Sequence, residues 1–294
     1  MEIQREPFEW MVKPTPQREW IEGRGLILWL AFCWGMGGGL YLVSLYFNSL
    51  WGMFIGWLII ALGKCGFHLL YLGRPLRFWR ALFRPQSSWL SRGIIFVAFF
   101  LIMGAIQMPL SYWQPGTAAE VVFKVMAGTG AFLTAIYTGF AMGCVRAVPF
   151  WNSSLLPVLF ALYAILGGCG IALAMGLNWN IGVRVEGLEW GVRGLLSAGA
   201  LMLVIYMWSV RYGSRGSKEA VVTLLRGPRS FSLPFWLGLI VIGTVIPLAI
   251  VWYSSAGEIA TQWLYLAIAC EFIGGLALRY SLLKGGVYAS LIDA

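Results

Sequence analysis

Long apolar runs alternate with short polar segments along this chain. Eight runs approach the roughly 20 residues that a helix needs to cross a hydrocarbon core: Gly25–Phe47, Leu50–Tyr71, Gly93–Trp113, Ala119–Cys144, Leu155–Leu177, Trp190–Arg211, Leu233–Trp252 and Ile259–Leu282. Within each run the apolar residues are continuous. Strands of a membrane barrel would instead alternate polar and apolar over about ten residues. The pattern therefore predicts an all-α integral membrane protein, an eight-helix bundle in a single domain over residues 1–294. A polar segment, Met1–Arg24, precedes the first run, and Leu72–Arg92 and Tyr212–Ser232 are the longer connections. The scheme is strained at two places. The Asn48–Gly52 junction is very short, and the fourth run opens with Glu120 and Lys124. The Gly35-Met36-Gly37-Gly38-Gly39 stretch admits close approach of a neighbouring backbone or a ligand, and helix packing is its expected use.

Composition agrees with a lipid solvent. Of the 294 residues 60% are hydrophobic and 11% charged, against roughly 25% charged in soluble domains. The 16 Trp residues cluster towards the ends of the runs, where indole rings sit at the membrane boundary. Met1–Arg24 lacks the apolar core and small-residue site of a signal peptide, so the first run is expected to stay in the mature protein. The five cysteines form no C-x-x-C pair and read as small apolar residues of helices. Nothing in the sequence points to nucleic acid or to a metal site.

Charge orients the bundle. Eight crossings place both termini, and the second–third, fourth–fifth and sixth–seventh connections, on one face, called here the N-face. Seventeen of the 21 Lys and Arg residues fall on it, and only Lys124, Arg184 and Arg193 fall on the far face. This bias predicts a cytoplasmic N-face in the cell (inner) membrane. The same charges suit anionic lipid and a docked protein.

The side chains able to carry chemistry are few. Lys64, the single histidine His68, Glu271 and Arg279 are ionisable groups inside apolar runs, where such groups are costly and usually functional. Lys64 and His68 are four apart and share a helix face. At about 1.5 Å per residue, His68 lies roughly 5 Å and Lys64 and Tyr137 roughly 10 Å below the N-face. The three can serve a small polar headgroup, or Lys64 can snorkel and Tyr137 bond to backbone. Glu271 is protonated, paired or part of a proton path with Arg279. One histidine cannot make a bis-histidine haem, and no cysteine run suits an iron–sulfur cluster. Electrons handled by this protein would thus be exchanged at one face.

The segment His68-Leu-Leu-Tyr-Leu-Gly-Arg-Pro-Leu-Arg-Phe-Trp-Arg-Ala-Leu-Phe-Arg-Pro-Gln-Ser-Ser-Trp-Leu-Ser-Arg92 resembles the loop after the second helix in the NrfD/PsrC family of membrane anchor subunits. Tyr137-Thr-Gly-Phe-Ala-Met-Gly-Cys-Val-Arg-Ala-Val-Pro-Phe-Trp-Asn152 and Gly274-Gly-Leu-Ala-Leu-Arg-Tyr280 add to the likeness. The resemblance implies an anchor that binds menaquinone or ubiquinone beside a four-cluster iron–sulfur subunit, which joins it to a molybdopterin catalytic subunit. By this resemblance Tyr137 falls at a quinone-contacting tyrosine and His68 at a histidine before the L-G-R-P turn, while the headgroup is bound by other groups such as Lys64 and His68, or at a site that has moved, in place of two first-helix contacts. The loop residues Arg74, Arg77, Arg80, Arg84, Trp89 and Arg92 become the expected docking surface. Two family contacts, an Asn and a His of the first helix, align with Leu26 and Leu30 and are lost. The Arg-rich face bearing the L-G-R-P motif points to the members whose catalytic subunits are cytoplasmic, as in membrane-bound sulfite-oxidising enzymes, and so to sulfur compounds. The alternatives are a secondary transporter, which would show an internal repeat, and a purely structural anchor.

The charge bias yields an expected outcome: alkaline phosphatase fused after Ala294 is inactive and a cytoplasmic reporter at the same place is active. An active phosphatase fusion reverses the orientation.

Overall fold

The computed structural model describes residues 21–179, 185–254 and 260–288, and the description below concerns these. Eight helices are long and apolar enough to span a membrane: Gly25–Tyr46, Leu50–Tyr71, Trp89–Trp113, Ala118–Gly143, Leu155–Asn178, Gly187–Arg211, Arg229–Tyr253 and Thr261–Gly285. They are called the first to eighth spans. No strand occurs among the described residues. The all-α, eight-span expectation therefore holds. The third span begins four residues earlier than its apolar run, because Ser88 caps it by accepting from Ser91 N–H. The seventh begins four residues earlier as well, at Arg229 just after Pro228, and is joined to the sixth by the short helix Arg215–Arg226. Arg5, Lys13, Arg18 and Arg184, the predicted start of the eighth span at Ile259, and both chain ends lie outside the described residues.

The first span is the hub, packed against the second, fourth and fifth. Consecutive helical residues point about 100° apart, since the helix has 3.6 residues per turn. Three glycines in a row therefore open three directions at once. A Cβ on Gly37 would lie 2.7 Å from the Gly56 carbonyl oxygen of the second span. One on Gly38 would lie 2.9 Å from the Ala131 oxygen of the fourth, and one on Gly39 would overlap the Ala164 carbonyl of the fifth. The approach is reciprocal, because a Cβ on Gly56 would meet the Gly37 oxygen and one on Gly168 the backbone at Gly39 and Leu40. Helix packing is thus the use of the glycine run. A second such contact, Gly243 against Gly274, joins the seventh and eighth spans.

Three departures from regular helix matter. The first span breaks at Trp34–Gly35, between Gly25–Cys33 and Met36–Tyr46. The second and seventh spans contain π-helical stretches, Ile59–Lys64 and Pro234–Val245. Such wide turns re-aim the residues that follow them and often mark functional positions. The first of them ends on Lys64.

The two strained places in the sequence are explained on the far face. Asn48 takes a left-handed backbone with φ 54°, which an asparagine tolerates, and Ser49 caps the second span by accepting from Gly52 N–H. Glu120 and Lys124 form an ion pair at 2.7 Å. The Glu120 carboxylate also accepts from Ser111 Oγ at 2.7 Å and Gly116 N at 2.6 Å, while Lys124 reaches Asn48 Oδ1 at 2.9 Å. Ser111 accepts in turn from Gln107, which accepts from the Tyr41 hydroxyl in the first span. This network ties the first, third and fourth spans and the first–second junction together, and satisfies charges that would be costly in lipid. Arg193 is likewise tied to Val251 O at 2.7 Å and to Glu189.

Gly39→Ala is expected to destabilise the bundle by about 1–3 kcal/mol or more, since backbone rather than a movable side chain blocks the new methyl. Gly66→Ala, where a Cβ meets nothing within 4 Å, is the matched control. Thermal unfolding of the purified protein in detergent checks the difference, and equal midpoints would contradict the hub.

Candidate functional site

Lys64 is 1% exposed, although it sits in an apolar helix. Its ammonium donates to Thr138 Oγ1 at 3.3 Å and lies 4.9 Å from the centre of the Tyr137 ring. It therefore does not snorkel to the surface. It reaches sideways from the second span to the fourth, beneath the break in the first span, where a Cβ on Gly35 would be 3.9 Å from Nζ. Thr138 supplies the oxygen and Tyr137 the aromatic face. Together they compensate a buried cation in part, by hydrogen bond and cation–π attraction.

One turn nearer the N-face, His68 Nδ1 is 2.7 Å from the Lys64 carbonyl oxygen, and its Nε2 is 3.2 Å from the Tyr137 hydroxyl. A carbonyl only accepts, so Nδ1 carries a hydrogen. In the neutral ring Nε2 is then the acceptor for the tyrosine O–H. The imidazole is only partly buried, with Phe32 on one side at 6.3 Å between ring centres. Tyr137 is itself buried, and its ring lies so close to Gly93 of the third span that any Cβ there would collide with it. The structure thus brings together the three residues the sequence proposed for a headgroup, from two helices, in one hydrogen-bonded group.

Gly93 and Thr138 were not singled out by sequence reasoning. Gly93 immediately follows the Arg-rich segment, and a glycine opening an apolar run was its only signal. Thr138 stands next to Tyr137, but nothing local shows that it faces Lys64.

Glu271 and Arg279 share a different part of the bundle. Both line one small cavity of about 10 Å³ with Tyr163, Met36 and Gly167, enough for about one water molecule. Glu271 rests in a notch of the fifth span, where a Cβ on Gly170 would stand 2.7 Å from Oε2. Arg279 donates to the Gly275 carbonyl at 2.8 Å, and its buried Nε has no hydrogen-bond partner among the described residues.

The six loop residues separate into two groups. Arg74, Arg77, Arg80 and Arg84 are exposed around the 3₁₀ helix Pro75–Phe83. Residues three apart eclipse in such a helix, so Arg77 and Arg80 form one edge, and Leu76, 90% exposed, and Trp79 form another. Trp89 and Arg92 belong to the third span rather than to the loop. Arg92 donates to Pro85 O at 2.7 Å and Gln86 O at 2.8 Å and lies 4.5 Å over Trp89. Trp89 stacks on Phe140 at 4.6 Å and 3°. These two fasten the loop to the bundle.

The sequence model of a protein family described as polysulphide reductase, NrfD, matches residues 26–289. Protein NrfD of Escherichia coli is 25% identical over 247 residues, covering 74% of this chain and 76% of that protein. The C subunit of the polysulfide reductase of Wolinella succinogenes is 25% identical over 246 residues, covering 73% and 74%. An NrfD homolog of Haemophilus influenzae is 23% identical over 245 residues, covering 74% and 76%.

Proposed function

From the premise that the chain belongs to the polysulphide reductase NrfD family of membrane subunits of oxidoreductase complexes, we propose that it is a quinone-reactive anchor. It exchanges electrons between a membrane menaquinone or ubiquinone and a docked iron–sulfur subunit, which serves a molybdopterin enzyme acting on sulfur compounds. The observation that carries this reading is the Tyr137–His68 hydrogen bond beside buried Lys64. The donor set suits a quinone, whose carbonyl oxygens accept hydrogen bonds and take up protons on reduction. Turned away from His68 Nε2, the Tyr137 hydroxyl can donate to such an oxygen. His68 Nε2 then stands where the Tyr137 proton is exchanged, and its partly exposed ring lies towards the N-face. Lys64 adds positive charge at the same depth, which favours electron density on a bound oxygen.

Position supports the same assignment. The group lies within roughly 5–10 Å of the N-face end of its helices, on the face that carries the exposed arginines. With a single histidine the protein has no bis-histidine haem to move electrons further. A donor cluster therefore has to sit close above. In this reading Arg74, Arg77, Arg80 and Arg84 meet carboxylates of the iron–sulfur subunit, the N-face and both termini are cytoplasmic, and Glu271 with Arg279 and Tyr163 forms an internal proton path.

Two outcomes are expected. Tyr137→Phe and His68→Ala each lower quinone-linked turnover about a hundredfold, with assembly and activity towards soluble dyes retained. Wild-type quinone turnover in both variants places the site elsewhere. Arg77→Glu with Arg80→Glu releases the soluble subunits from isolated membranes, and full retention on immunoblots contradicts the docking surface.

A further inference from the structure

The sixth–seventh connection carries a second basic cluster that the function above does not use. It comprises Arg211 at the end of the sixth span, Arg215, Lys218 and Arg226 on the short helix Arg215–Arg226, and Arg229 at the start of the seventh. The helix buries Ser217, Ala220, Val221 and Leu224 against the bundle and leaves Lys218 and Arg226 exposed.

What lies beneath these cations identifies their partner. On the sixth span Leu201, Val204, Ile205 and Trp208 are exposed, at the three- and four-residue intervals of a single helix face. That stripe continues directly into Arg211 and Tyr212, both exposed. On the seventh span Val245, Val241, Leu237 and Leu233 are exposed at intervals of four, and the next step is Arg229. Trp236 stands beside this stripe and donates to the Leu225 carbonyl of the short helix at 3.0 Å. Arg211 and Arg229 thus each crown an exposed apolar face of a membrane-spanning helix, the surface that acyl chains suit. Trp208, Tyr212 and Trp236 mark the headgroup level below it.

We infer that the edge formed by Arg211, Arg226 and Arg229 binds the phosphate headgroups of anionic phospholipids, whose acyl chains lie along the exposed faces of the sixth and seventh spans. A docked protein would bury these arginines from above, but it could not cover the stripes that lead into them. The cations at the end of each stripe reach the plane of the lipid phosphates, where an anionic headgroup stabilises them more than a zwitterionic one. The inference rests on the fold and the charged face alone and is independent of the quinone reading.

The test uses the intact membrane complex in nanodiscs of phosphatidylcholine doped with labelled phosphatidylglycerol. Preference for phosphatidylglycerol is measured on the wild type, on Arg211→Gln/Arg226→Gln/Arg229→Gln, and on the same three changed to Lys. About fivefold per cation is expected, so the Gln triple should lose about a hundredfold of the preference. The Lys triple should keep most of it. The inference is overturned if the Gln triple keeps its preference, or if it sheds the soluble subunits with lipid preference intact, which would make this edge a protein contact.

Discussion

The architecture depends on one steric permission, the absence of side chains at Gly37, Gly38 and Gly39. In lipid the hydrophobic effect does not drive helices together, so packing contact and interhelical hydrogen bonds have to hold the bundle. Three successive glycines let the first span touch the backbones of the second, fourth and fifth spans at one level. That contact sets the distance between the second and fourth spans. It therefore decides whether Lys64 can reach Thr138 and whether His68 can reach Tyr137. A thicker hub would separate the members of the polar group.

Polar chemistry is divided between the two faces. On the far face Glu120 is bonded by Lys124, Ser111 and Gly116, so its charge is spent on structure. Near the N-face the polar groups are less fully occupied. Among the described residues the Lys64 ammonium has one hydrogen bond, to a neutral hydroxyl, and the Tyr137–His68 contact leaves an acceptor position on the tyrosine oxygen. Arg279 Nε has no hydrogen-bond partner among the described residues. Unfinished polar groups are expensive inside a membrane and are kept where a ligand or a proton completes them. This contrast favours chemistry near the N-face and support on the far one.

The N-face arginines also divide by what lies next to them. Around Pro75–Phe83 they alternate with exposed Leu76, Phe78, Trp79 and Phe83 on a connection above the bundle. At Arg211 and Arg229 they end stripes on the outer faces of spans. The first setting suits a protein partner and the second suits lipid. Arg92 is held by two carbonyls and an indole ring.

The sequence by itself determined the eight spans, the charged face and the Lys64–His68 pair. Each of these is a local property: length of apolar run, count of cations between runs, and four-residue spacing along one helix. The departure at Leu26 and Leu30 was equally legible, as was the burden of Glu120 and Lys124 at the start of the fourth span. Only the tertiary structure decided that Tyr137 bonds His68, that Gly93 confines the tyrosine ring, that Glu271 sits in a notch at Gly170, and that Trp89 and Arg92 brace the loop. The reason is rotational. Periodicity tells which residues share a face of one helix, but the neighbour that face meets depends on how each helix turns about its axis and how closely it packs. Here those are set by glycines on one helix against backbone on another, and by a π-helical stretch that re-aims Lys64.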